Sequence, residues 1–376
     1  MRIVITGIGF KSALGDLDST WEKLLNGQTA IETAQPFATL PPLPLALIAK
    51  QPQNIHQLTQ TVVIAALSDA GLATPLPDCG VIIGSSRGCQ AQWEQLASTP
   101  NPDLTNWFDT LPQSLATATA RYIGSQSALL APMAACATGI WSIAQAVTSM
   151  RAGACEMAIA GAIEAPITPL AIAGFTQMGA LASTGCYPFD RRRDGLVLGE
   201  AGAVFILETA EWAIARGAKI YGEILGFGLT NDAYHICATD LDLTAANWAI
   251  SQCLTRSHLS HTEIDYIHAH GTGTELNDRR ESLLTQQIFP FGVPISSTKG
   301  ATGHTLGASG AVGIALCLKS IETQTLPPCV GLISSEFELD LVMNPRIGKV
   351  DRVLCLSFGF GGQNTAIALQ RWHNHR

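Results

Sequence analysis

Ala134-Ala135-Cys136-Ala137-Thr138-Gly139 opens an apolar run that reaches Met150, and a β-branched stretch, Cys79–Gly84, precedes it. The same order returns later in the chain. A strand over Ile264–His270 leads through a connection to Ser297-Thr298-Lys299-Gly300-Ala301-Thr302-Gly303-His304, which opens a second small-residue, apolar helix. Each unit continues into a further strand, Met157–Ala160 in the first and Val353–Ser357 in the second. Recurrence of one strand–helix–strand unit is the mark of an internal duplication. Two such units packed back to back would bring both helix entries to a shared centre.

Outward from this pair, β-branched and apolar runs predict strands at Ile3–Thr6, Val81–Ile83, Met157–Ala160, Ala203–Leu207, Tyr266–Ala269, Pro294–Ser296 and Val353–Ser357. Apolar periodicity predicts helices at Ile55–Ala70, Gly139–Met150, Ala245–Arg256, Glu275–Ile288 and Leu306–Ile321. Near-continuously apolar strands belong to sheets covered on both faces, which places the chain in the layered α/β class. Its 376 residues are 47% hydrophobic and only 14% charged, so the layers are thick and an oligomer is expected to hide more surface. A formal net charge of −8 argues against general affinity for nucleic acid or anionic membrane.

The ten cysteines include no Cys-x-x-Cys pair and mostly sit in apolar runs, as Cys253, Cys317 and Cys355 do. That is the pattern of reduced, buried thiols in a cytoplasmic protein. Met1-Arg2-Ile3-Val4-Ile5-Thr6-Gly7 enters a strand directly and has no signal-peptide pattern. Leu129–Met150 is apolar but broken by Pro132, Cys136, Thr138 and Gly139, which reads as a buried helix with a special entry turn, not a membrane span.

Three constellations carry chemistry. Cys136 precedes a Thr-Gly helix start, where unpaired N–H groups and the helix dipole lower a thiol's pKa and can cradle an oxyanion. The competing reading is a core cysteine, since Ala-Cys-Ala is common in protein interiors. His270 ends a strand and is followed by the turn Gly271-Thr272-Gly273-Thr274, a place where α/β side chains reach ligands. His268 and His270 lack a carboxylate or cysteine at ligand spacing, so a zinc site is disfavoured. Lys299 and His304 flank a glycine-rich helix entry, but the G-x-x-x-x-G-K-[ST] order of a phosphate loop is absent. Cys136, His270 and His304 together suit one reaction, in which the cysteine holds an acyl thioester and two histidine N–H groups stabilise the enolate left when malonate loses carbon dioxide. A hydrolase would need one histidine and leave the second, with Lys299, idle.

These motifs resemble, in order, the signatures of the β-ketoacyl-ACP synthases. They are Ala135-Cys136, the block from Pro188-Phe189-Asp190-Arg191 through Arg193-Asp194-Gly195-Leu196-Val197-Leu198-Gly199-Glu200, then His270–Thr274, Lys299…Gly303-His304 and Ser357-Phe358-Gly359-Phe360-Gly361-Gly362-Gln363-Asn364. The resemblance spans nearly the whole chain. It implies a thiolase-like five-layer αβαβα sandwich built from two pseudo-duplicated halves, residues 1–210 with the nucleophile and 219–376 with the histidines. It implies catalytic roles for Cys136, His270, His304 and Lys299, the last supporting His304. The N–H groups of Cys136 and Phe360 would form the oxyanion hole, with Phe360 gating the pocket.

The implied activity is the condensation of an acyl thioester with malonyl-ACP, most like the synthase II type, in fatty acid or polyketide and polyene synthesis. Its partners are the acyl carrier protein and a dimer mate, either an identical chain or a related ketosynthase subunit. No cofactor or metal is implied. Fatty-acid-type members often bind a structural cation through Asn two residues before the first histidine and Glu nine after the second; here those positions are His268 and Gly313, so His268 is expected to be a buried structural histidine beside Gly313 with no metal at that place. Gly313 and the Gly-Thr-Gly-Thr turn look more like the polyketide branch. The helix at Ile55–Ala70, where members usually present cations to the carrier, has none, since no Lys or Arg lies between Lys50 and Arg87. A non-catalytic chain-length partner is the alternative, opposed by the intact Cys136, His270, Lys299 and His304. A thiolase would carry a second cysteine in the last glycine-rich motif, and Phe358–Gly362 has none.

Overall fold

A computed structural model describes residues 1–236, 240 and 242–373. The first half runs β1 (Ile3–Ser12), α1 (Ile55–Asp69), β2 (Cys79–Gly84), α2 (Ser114–Ile123), β3 (Leu129–Leu130), α3 (Thr138–Arg151), β4 (Met157–Glu164) and β5 (Ala201–Thr209). The second repeats that order: β6 (Gly222–Asn231), α4 (Thr244–Arg256), β7 (Tyr266–His268), α5 (Glu275–Ile288), β8 (Ile295–Ser296), α6 (Ser309–Thr323), β9 (Arg352–Gly359) and β10 (Gln363–Gln370). Spatial order is β3-β2-β4-β5-β1 followed by β6-β10-β9-β7-β8, a palindrome of corresponding strands. In each half the outer three are parallel (β3, β2, β4; β8, β7, β9) and the two toward the centre antiparallel. Among the described residues the two sheets are joined where β1 pairs with β6, at Ile3↔Ile224, Val4↔Glu223 and Ile5↔Gly222.

Period-2 alternation sorts side chains between layers. Along β5, Ala203, Phe205 and Leu207 face inward with Ala158 and Ala160 of β4, while Val204, Ile206 and Ile159 face outward. The inner faces close on α3 and α6 through Ile140, Ile143, Val147, Ile314, Leu316 and Leu318. The first outer face takes α1 and α2 through Leu58, Val62, Ala66 and Leu115. The second takes α4 and α5 through Ile250, Leu254 and Leu284. The result is the five-layer αβαβα sandwich expected from the resemblance.

A helix in the middle layer has no solvent side, so it is apolar all round. The stretch Leu306–Thr323 is accordingly long and apolar enough by composition to cross a membrane, yet 83% of it is buried inside the fold. The expected helix over Leu306–Ile321 starts as a 3₁₀ turn, Leu306–Ala308, before α6. Close approach of α3 and α6 depends on glycine. A Cβ on Gly139 would lie 2.5 Å from the Ala311 nitrogen, and one on Gly310 would lie 2.8 Å from Ile140.

Strands β3, β6 and β10 and helix α2 are absent from the sequence expectations, and Leu129–Leu130, read as part of the apolar helical stretch, is the short strand β3. Gly222, Gly226 and Gly228 dilute the strand pattern of β6; α4 and its C-terminal end crowd the last two, a Cβ on Gly228 meeting the Ala249 carbonyl at 1.8 Å, while Leu318 and Gln370 crowd Gly222.

Candidate active site

The two middle-layer helix entries meet at one cleft of about 690 Å³, lined by Cys136, His270, His304, Phe358 and Phe360 among others. Cys136 occupies the turn before α3. Ala135 is held at φ +46°, and the Thr138 hydroxyl clamps the turn by donating to the Ala135 carbonyl at 2.7 Å and accepting the Ala134 N–H at 2.9 Å. The end of β9 presses on the same turn. Ser357 Oγ donates to the Cys136 carbonyl at 2.9 Å, and a Cβ on Gly359 would stand 3.0 Å from the Cys136 nitrogen. Phe360 follows directly, and its ring lies 6.3 Å from that of Phe175 on the cleft wall.

The expectation that the helix entry lowers the Cys136 pKa is corrected here. Burial dominates and pushes the thiol up to about 11, with Lys299 and Arg87 opposing and Glu164 adding to the rise. Removing the sulfur from water costs the thiolate more than the nearby positive charges return.

The histidines are held in a defined tautomer. His304 Nδ1 accepts the Leu306 N–H at 3.2 Å and lies 2.9 Å from the Ser309 hydroxyl, so the ring proton resides on Nε2. His270 Nδ1 lies 3.4 Å from Lys299 Nζ, an ammonium that can only donate, and its proton is on Nε2 as well. The two rings stand 5.3 Å apart, nearly perpendicular. Burial first, and then the charge of Lys299, holds both imidazoles well below 6.5. They are therefore neutral donors at pH 7. Lys299 also donates to the His270 carbonyl. Its hydrogen bonds thus go to His270, and His304 feels only its charge, contrary to the expected pairing with His304. The backbone of His304 is held by the 193–200 block, through Val197 O at 2.6 Å and Gly199 N at 3.0 Å.

Three carboxylates escaped the sequence reading. Glu281 accepts the N–H groups of His270 at 2.6 Å and Gly271 at 2.7 Å, and burial pushes it up to about 7. Asp278, one turn earlier on α5, accepts the Phe189 N–H at 2.8 Å and the Gly273 N–H at 3.2 Å, tying the two motif loops together. The available signal was their i, i+3 spacing directly after the Gly-Thr-Gly-Thr turn. Glu164, at the end of β4, accepts from Ser85 Oγ, both N and Oγ of Ser86, Arg87 N and Gly307 N. It joins a loop of the first half to the turn after His304 in the second. His268 is buried beside Gly313, as expected. A Cβ at Gly313 would meet its Nδ1 at 2.8 Å, and its Nε2 lies 3.1 Å from Thr298 Oγ1.

Models of two families match the chain: "Beta-ketoacyl synthase, N-terminal domain" over residues 47–213 and "Beta-ketoacyl synthase, C-terminal domain" over residues 221–332. The 3-oxoacyl-[acyl-carrier-protein] synthase 2 of Mycobacterium bovis is 31% identical across 98% of this chain and 97% of its own length. The tetracenomycin polyketide synthase ketoacyl synthase alpha subunit of Streptomyces glaucescens is 31% identical over the same shares. Among solved structures, a type II polyketide acyl-carrier protein in complex with its ketosynthase bound to the hexaketide superposes with a TM-score of 0.92, at 28% identity and 99% coverage of both chains.

Proposed function

The chain belongs to the β-ketoacyl synthase family of condensing acyltransferases, and on that premise we propose that Cys136 is its acylated nucleophile and that His270 and His304 drive decarboxylation of the malonyl unit. The observation that carries this reading is the pair of neutral imidazoles, each with Nδ1 occupied, lining the cleft that holds the Cys136 sulfur.

In the first step sulfur bonds to the acyl carbonyl of a carrier thioester, the carrier's C–S bond breaks, and the thiol proton ends on the released carrier thiol. In the second step the malonyl C–C bond breaks, carbon dioxide leaves, and the electron pair forms an enolate whose oxygen receives the two Nε2–H bonds. The enolate carbon then attacks the acyl carbonyl, whose oxyanion is met by the N–H groups of Cys136 and Phe360; the C–S bond breaks, and the Cys136 thiolate takes a proton from solvent water to become the thiol again. Lys299 is a positioning residue, fixing the tautomer of His270.

The partners in this reading are an acyl carrier protein and a second ketosynthase chain. Leu129 and Leu130 on the short edge strand β3, with Met133 beside it, are exposed apolar residues that such a chain would cover. Gly313 with His268 supports a polyketide or polyene substrate beside the fatty acid reading. A panel of acyl carriers followed by peptide mapping tests both points. The acyl mass should fall on Cys136, and the preferred chain should identify the branch. Labelling that survives Cys136→Ala would end the assignment.

A further inference from the structure

We propose that the acidic carrier delivering thioesters to Cys136 docks on an arginine cluster at the second-half lip of the cleft, formed by Arg191, Arg279 and Arg280, with the buried Arg193 adding its charge from behind. The inference rests on the condensing reading above and adds to it the surface that recognises the carrier.

The lip is the start of α5. Thr274, Leu276 and Asn277 line the cleft, and Leu276 is 45% exposed at its rim. Arg279 and Arg280 follow at i+3 and i+4 from Leu276, on the same side of the helix. Arg280 donates to the Asp240 carbonyl at 2.5 Å, and the Asp240 N–H reaches Asp232, another cleft-lining residue, at 3.0 Å. The lip and the loop beside it are therefore one surface.

Arg193 comes from the block that anchors His304, and it pairs with Glu336 at 2.5 Å. Arg193 first, then Arg279 and Arg191, hold that exposed carboxyl below its ordinary range, so three guanidiniums gather around a single carboxylate. Among the described residues no carboxylate lies within ion-pair distance of Arg191 or Arg279; Arg191 Nε reaches only the Ser335 carbonyl, at 3.5 Å. Two exposed cations thus remain uncompensated beside the mouth of a chain whose net charge is −8.

On the opposite wall Arg87 stands with its guanidinium 5.3 Å from the ring centroid of Phe175, and the helix beside it brings no further cation. No Lys or Arg lies between Lys50 and Arg87, and the groove beside α1 is lined by Gln57, Thr59, Gln60 and Tyr122. Charge of one sign at a rim raises the encounter rate with a partner of the other sign. An apolar Leu276 among arginines matches the apolar centre and polar rim of a transient interface.

The test titrates a bacterial type II acyl carrier protein against the full chain and against Arg191→Glu/Arg279→Glu. Condensation of acyl- and malonyl-pantetheine thioesters is followed in parallel. The proposal expects the carrier Kd to rise by roughly tenfold or more, the wild-type Kd to climb with salt, and turnover of the small thioesters to stay unchanged. An unchanged carrier Kd in the double variant would overturn it, as would an equal loss in Arg121→Glu/Arg151→Glu on the first half. Absence of condensation with the small thioesters in the wild type would instead sink the functional reading, while the titration still decides the docking surface.

Discussion

In the proposed reaction Cys136 enters as a thiol. With burial lifting it to about 11, almost none is ionised at neutral pH, and attack must be coupled to loss of the proton within the cleft. The same burial keeps His270 and His304 neutral, which is what an enolate needs, because two imidazoliums 5.3 Å apart would repel each other. In the proposed reaction their task begins after acylation. His270→Ala and His304→Ala should therefore leave transfer of the acyl group to Cys136 largely intact while lowering condensation by about 10²–10³-fold, the usual cost of one well-placed donor. Intact-protein mass spectrometry separates the two steps, and normal condensation in either variant would remove the role. Lys299→Met should act through His270 by freeing Nδ1, so its loss should shift the pH profile of condensation toward that of an untethered imidazole. A merely structural lysine would leave that profile in place.

Helices α3 and α6 form the level at which the sequence was most readable. Their entries carry the motifs, and because they lie in the middle layer their apolar character is unbroken, so both were found, as were β4 and β9 between which chemistry and core alternate. The unread elements have a common physical cause. Gly226 and Gly228 of β6 answer to the backbone of α4 and its C-terminal end, a contact that no local pattern announces. Likewise Glu164 serves amides far away in sequence, 78 residues for Ser86 and 143 for Gly307. His268 was legible because two departures, an imidazole gained and a side chain lost at Gly313, point to the same volume. At this scale the sharpest test is Gly139→Val. With 2.5 Å available to a new Cβ, α3 and α6 must part, and urea unfolding should show a loss of about 1–3 kcal/mol. A variant as stable as the parent would mean that the two helices do not meet at that distance.

The whole molecule carries buried carboxyls that answer to pH. Glu200 accepts the N–H groups of Ile48 and Gln53, and burial pushes it up to about 7. Between about 4.5 and 7 the folded chain keeps a proton that the unfolded chain has released, so this contribution to stability is lost as pH rises through that window. His270 and His304, depressed by burial, contribute with the opposite sign, gaining stability as pH rises toward 6.5. Comparison with Glu200→Gln cancels the histidines. The stability of the parent relative to this variant should fall between pH 5 and 7 by an amount on the order of 1–3 kcal/mol, measured by denaturant midpoints. A pH-independent difference would show that Glu200 does not titrate there. Glu164 bears on a different kind of durability. Its carboxylate gathers donors from Ser85, Ser86 and Arg87 on one side and Gly307 on the other, so the seam between the halves is sewn beside the proposed reaction centre. Heat therefore has no early route to an intact but inactive body, and catalytic decay and loss of near-ultraviolet ellipticity should trace the same curve.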